Sequence, residues 1–124
     1  MQTGDVLVVE DDADIRESLV EILMEEGYVA RGFANGAEAL AFLRSGGAAS
    51  VILLDLMMPV MDGREFRLEL EKDATFSSIP VILLTADNNP RRKAATLGAV
   101  GGLGKPVRLD DLLSTVEQYY RPKQ

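Results

Sequence analysis

The chain has 124 residues, 47% hydrophobic and 27% charged, a length and mixture that predict one compact domain and exclude a disordered, collagen-like or low-complexity chain. Its 13 basic and 20 acidic residues give a formal net charge of −7, which repels a phosphate backbone and argues against direct nucleic-acid binding. With no cysteine and no histidine there is no disulfide, thiolate nucleophile, Ser-His-Asp triad or zinc site of the usual ligands, so any chemistry falls to carboxylates, hydroxyls, lysine and metal.

Short β-branched runs alternate with stretches in which apolar residues recur every three or four positions, a βα rhythm. Val6 to Val9 reads as a strand buried on both faces. Ile15, Leu19, Ile22 and Leu23 then form the buried stripe of a helix that Gly27 ends. Tyr28 to Phe33 is a weaker strand, and Asn35-Gly36 opens a short helix with Leu40 and Leu43 inward, stopped by Gly46-Gly47. The third strand is Val51 to Leu54. Pro59 and Gly63 bracket a turn before a helix with Phe66 and Leu70 inward, and Val81 to Leu84 is the next strand. A fourth helix starts near Pro90. Val100 to Gly104 is a glycine-rich, poor strand, and Leu109, Leu112, Leu113 and Val116 mark a last helix. The apolar runs are too short to span a bilayer and Met1 to Asp5 has no secretory character, which predicts a cytosolic protein without membrane contact.

Five βα units predict a parallel sheet covered on both faces, with ligands at the carboxyl ends of the strands. The residues just past those ends are polar: Glu10, Asp11 and Asp12 after the first strand, Asp55 after the third, Thr85 after the fourth and Lys105 after the fifth. Carboxylates from two strands crowd one another unless a cation neutralises them, and an all-oxygen set suits Mg²⁺. Beside such an ion Asp55 is the natural nucleophile toward phosphorus, with Thr85 and Lys105 placed to hold phosphoryl oxygens. Singly each signal has a plainer reading. Asp11, Asp12 or Asp14 would serve as a helix cap, Thr85 as a turn hydroxyl and Lys105-Pro106 as a solvated loop. Their arrival at four strand ends of one pattern favours the phosphoryl reading.

These residues resemble the receiver domain of bacterial two-component response regulators. The matching stretches are Leu7-Val8-Val9-Glu10-Asp11-Asp12, Val51 to Pro59 with Met61-Asp62-Gly63, Ile82-Leu83-Leu84-Thr85-Ala86, and Gly98-Ala99 leading to Lys105-Pro106. The resemblance covers the whole chain as one domain, residues 1–124, with 121–124 as a tail or linker. It implies a three-layer, doubly wound (βα)5 fold of the flavodoxin-like type with strand order 2-1-3-4-5. It further implies that Asp55 accepts a phosphoryl group from a histidine kinase or a histidine phosphotransfer protein in a Mg²⁺-dependent reaction. The domain would then act on a downstream effector or a fused output domain. On this alignment Asp11 and Asp55 ligate Mg²⁺ directly, Glu10 acts through water, and the Met57 backbone carbonyl completes the protein ligands. Thr85 and Lys105 hold phosphoryl oxygens, and Ala86 is small so that Asp55 stays accessible.

Two positions depart from the family. The aromatic residue usual on the fifth strand, three before the lysine, is Gly102, and the Thr85 to Gly98 stretch is about two residues short. Gly102 reads either as loose packing of an edge strand or as a changed switch. The competing functions are a pseudo-receiver that binds partners without phosphorylation, and a Mg²⁺-dependent phosphatase. The complete Asp55, Thr85 and Lys105 set argues against the first, and the lack of any segment long enough for a substrate-covering cap against the second.

Overall fold

The computed structural model describes residues 2–58 and 60–122, so the turn residue Pro59 and the tail residues Lys123 and Gln124 lie outside the described residues. In chain order the elements are β1 (Asp5–Val9), α1 (Ala13–Glu25), β2 (Ala30–Phe33), α2 (Gly36–Arg44), β3 (Ala49–Asp55), α3 (Gly63–Glu71), α4 (Ala74–Ser77), β4 (Val81–Thr85), α5 (Pro90–Thr96), β5 (Gly101–Gly104) and α6 (Leu109–Tyr119). The five strands form one parallel sheet of order β2-β1-β3-β4-β5, the doubly wound order expected. The single-turn α4 is an addition to the five predicted helices; Asp73 caps it through Thr75 N, and it buries no residue, so it leaves no apolar stripe in the sequence.

Because successive strand residues point to opposite faces, the central strands supply two cores at once. Leu7, Val9, Ile52 and Leu54 meet Leu40 and Leu43 of α2 and Phe66 and Leu70 of α3. Val6, Val8, Val51, Leu53, Ile82 and Leu84 meet Leu19 and Leu23 of α1 and Leu112 and Val116 of α6. Helices therefore cover both faces, and all seven residues of β3 are buried. Two predicted stripe positions are not in a core: Ile15 is 37% exposed and Leu109 51% exposed, each in the first turn of its helix.

Local chemistry sets the loops on the carboxyl side of the sheet. Asp12 caps α1 by accepting from Ile15 N at 3.1 Å. Asp62 and Glu65 form a capping box at the start of α3. Gly63 lets that start approach β3: a Cβ there would lie 2.9 Å from Leu56 Cα and 3.1 Å from the Asp55 carbonyl oxygen. At the opposite end of the sheet the Arg121 carbonyl accepts from Gly4 N at 2.8 Å, so the chain after α6 returns to the start of β1.

Candidate functional site

Five strand-end residues named from sequence, Glu10, Asp11, Asp55, Thr85 and Lys105, line one cavity of about 320 Å³, together with Ala86 and Met57. Glu10 and Asp55 are buried at the ends of β1 and β3, 0% and 4% exposed, and Thr85 is buried at the end of β4. Asp11 stands exposed just beyond β1. Carboxylate oxygens of Glu10, Asp11 and Asp55 all lie within 4.8 Å of one another. The Lys105 ammonium reaches across from the end of β5 to Glu10 Oε1 at 2.7 Å and Asp55 Oδ1 at 3.1 Å. Its own backbone N–H donates to the Thr85 carbonyl at 2.8 Å, which ties β4 and β5 together at the site. The Lys105-Pro106 peptide bond is cis.

Further hydrogen bonds hold the frame. Glu10 Oε2 accepts from Asp12 N at 3.4 Å and Asp55 Oδ1 from Met57 N at 3.3 Å. Arg16, one turn into α1, donates to the Glu10 carbonyl at 2.8 Å and the Asp11 carbonyl at 3.5 Å. Sequence reasoning missed this arginine, and also Ile15, which lines the cavity mouth instead of the core. Both follow the acidic run by a single helical turn, and that spacing was the available signal. Asp12 also borders the cavity, but its carboxylate is engaged as the α1 cap, and it is absent from the close carboxylate group.

Electrostatics follow from the crowding. Burial pushes the Glu10 carboxyl up to about 7, its hydrogen bond with Asp55 and the charge of Asp55 push the same way, and the Lys105 hydrogen bond offsets part of this. Burial alone would lower the Lys105 ammonium, but its hydrogen bonds to Glu10 and Asp55 outweigh burial and hold it above the usual lysine value. For Asp11, desolvation acts upward, but hydrogen bonds with Glu10 and Asp55 prevail and its carboxyl sits below the usual aspartate range. Three carboxylates against one ammonium leave an excess of negative charge. With oxygen donors only and no imidazole or thiolate, this set fits a small hard divalent cation such as Mg²⁺.

A parallel sheet of order 2-1-3-4-5 with an acidic cluster and a lysine at its carboxyl edge is a doubly wound fold that carries its polar site where such folds bind ligands. Residues 6–117 match the family model for the response regulator receiver domain, and the chain belongs to that family. Among curated relatives, the response regulator MprA of Mycobacterium ulcerans is 36% identical over 118 residues, which are 94% of this chain and 50% of MprA. The chain thus spans half the length of that relative. Among solved structures, the Vibrio cholerae chemotaxis protein CheY4 matches with a TM-score of 0.83 and 33% identity, covering 94% of this chain and 98% of CheY4. A receiver domain of a signal transduction histidine kinase from Syntrophus aciditrophicus matches with a TM-score of 0.82 and 36% identity, covering 94% and 89% of the two chains. Among the described residues no helix is long and apolar enough to cross a membrane.

Proposed function

We propose that this receiver domain, residues 1–124, is a phosphoacceptor: Asp55 takes a phosphoryl group from a histidine kinase or a histidine phosphotransfer protein. The observation that carries the reading is the Asp55 carboxylate, buried at the end of the central β3, sharing the Lys105 ammonium with Glu10 and lying within 4.8 Å of the carboxylates of Glu10 and Asp11. In the transfer an Asp55 oxygen forms a bond to phosphorus while the phosphorus–nitrogen bond of the donor imidazole breaks, and the imidazole leaves with the bonding pair and takes up a proton. Lys105, held protonated by its two carboxylate partners, is placed to follow the developing charge onto the phosphoryl oxygens. Thr85 Oγ1 supplies a hydroxyl donor from the neighbouring strand end, and Ala86 keeps the approach open. Asp11 and Asp55 with the Met57 carbonyl, and Glu10 through water, would hold Mg²⁺. When bound, the ion neutralises charge on the transferring group.

The reaction modifies the domain itself, with no external substrate. Its product is a changed surface for a downstream effector or a fused output domain, in keeping with the share of MprA that this chain spans. The complete carboxylate, threonine and lysine set supports this reading over a phosphorylation-independent interaction domain. Incubation with acetyl phosphate and Mg²⁺, read by intact mass, tests it. The parent gains one phosphoryl group and Asp55→Asn gains none while keeping its fold, because the amide is nearly isosteric but forms no acyl phosphate. Uptake that persists in Asp55→Asn, or an unlabelled parent, would overturn the proposal.

A further inference from the structure

A groove of about 640 Å³ runs between α1 and β2 and shares no lining residue with the Asp55 cavity. Its floor is apolar: Val20 and Met24, one turn apart on α1, and the exposed Gly32 of β2, against which the Arg16 side chain lies. A Cβ on Gly32 would stand 2.9 Å from Arg16 Cγ and 3.3 Å from a Val20 methyl carbon, so the missing side chain is what lets α1 settle this close to the strand. Met24 is 56% exposed, a large apolar side chain without a cover. The rim is acidic. Glu17, Glu21 and Glu25 follow one another at four-residue intervals, all exposed, and among the described residues none of them is in an ion pair. Like charges at this spacing repel along a helix, so α1 carries a row of negative charge that no described cation pairs with.

Beside the groove the sheet ends. β2 is an edge strand whose one sheet partner is β1. The Val29 carbonyl accepts from Val6 N at 2.9 Å and the Phe33 carbonyl accepts from Glu10 N at 3.0 Å. Main-chain groups alternate sides along a parallel strand, so residues 29, 31 and 33 face β1, while Ala30 and Gly32 turn their N–H and C=O outward. Among the described residues no turn, loop or side chain bonds to either of those two. The charged residue of the strand does not guard the edge on the α1 side. Arg31 is held on the opposite face, bonded to Asp5 Oδ2 at 2.6 Å and 5.1 Å from the centre of the Phe42 ring.

We propose that the β2 edge and the α1 groove together form a docking surface for an extended segment of a partner protein that carries Lys or Arg at alternate positions and adds to the sheet beside β2. An added strand gives the outward main-chain groups of β2 their partners. Side chains on one face of an extended segment recur about every 6.6 Å, and helix residues four apart recur about every 6 Å, so successive basic residues meet Glu17, Glu21 and Glu25 in register. Lys and Arg also suit both parts of the lining, since their methylene stems cover Val20 and Met24 while their charged ends reach the carboxylates. A second copy of this chain paired through the same edge would bring two rows of glutamates together, and the net charge of −7 would oppose it further. A helix laid in the groove would match the charge but leave the Gly32 main chain unpaired.

The test is a titration at low ionic strength with the end-capped peptide Thr-Lys-Val-Lys-Val-Lys-Thr, followed by amide hydrogen exchange. Binding is expected to slow exchange at the Gly32 amide. A peptide of the same composition with its three lysines contiguous is expected to bind more weakly and to leave Gly32 unprotected. The combined variant Glu17→Gln, Glu21→Gln and Glu25→Gln, at three exposed positions, is expected to weaken binding of the alternating peptide by about tenfold, as three surface ion pairs imply. No binding, equal binding of the two peptides, an undiminished affinity in the glutamine variant, or binding without protection at Gly32 would overturn the proposal. Protection at Gly32 that grows with protein concentration and needs no peptide would overturn it in favour of a second copy at the same edge.

Discussion

Glu10 makes the stability of the metal-free protein fall as pH rises. Its carboxyl, 0% exposed and beside Asp55, is raised from an ordinary value of 4.5 to about 7 in the folded state. The unfolded chain therefore releases this proton first, and the stabilisation from keeping it is complete below the unfolded value and lost as pH climbs through the folded one. The difference between the two values corresponds to roughly 3 kcal/mol in full, of which about 2 kcal/mol disappears between about pH 5.5 and 8.5. With a urea slope of about 1–3 kcal/mol per molar, the midpoint should fall by roughly 1 M over that range. Glu10→Gln keeps an acceptor for Lys105 and removes the titration, so its midpoint should depend far less on pH. The comparison between parent and variant cancels carboxylates remote from the site; Asp11, whose lowered value rests in part on its hydrogen bond with Glu10, acts in the opposite sense and at more acid pH. Added Mg²⁺ should restore the parent at the alkaline end, since a cation favours the ionised carboxyl. Parallel pH profiles for the parent and Glu10→Gln would refute the reasoning.

Asp11→Ala should weaken Mg²⁺ binding in a titration more than Asp12→Ala, because only Asp11 belongs to the close carboxylate group. Thermal or urea unfolding should show the reverse order: Asp12→Ala loses the α1 cap and about 1 kcal/mol of stability, while Asp11→Ala loses no cap. Phe66→Ala, which empties a fully buried position between α3 and the sheet, should cost about 3–5 kcal/mol in urea unfolding without abolishing phosphoryl uptake in any molecules that remain folded.

The alternation of apolar runs with helical stripes was enough to establish a parallel sheet, because strands that need crossovers all point one way. Their polar end residues then share one edge whatever their separation in sequence. That is why Glu10, Asp11, Asp55, Thr85 and Lys105, up to 95 positions apart, are legible as a group in the sequence, and why they line one cavity. Periodicity reports that a helix has an apolar face but not what lies opposite each position. Ile15 and Leu109 matched the stripes and are exposed in the first turns of α1 and α6, Ile15 beside the carboxyl-edge cavity. Which of three neighbouring aspartates caps α1 depends on backbone direction, and only the folded chain assigned it to Asp12. The four-residue α4 carries no buried side chain and so left no periodic trace. Gly102 was the least legible position, since a glycine in a sequence records an empty side-chain site but not what fills it. The tertiary structure filled it with the Pro90 backbone, because close packing brings the nearest element into any space that a missing side chain leaves.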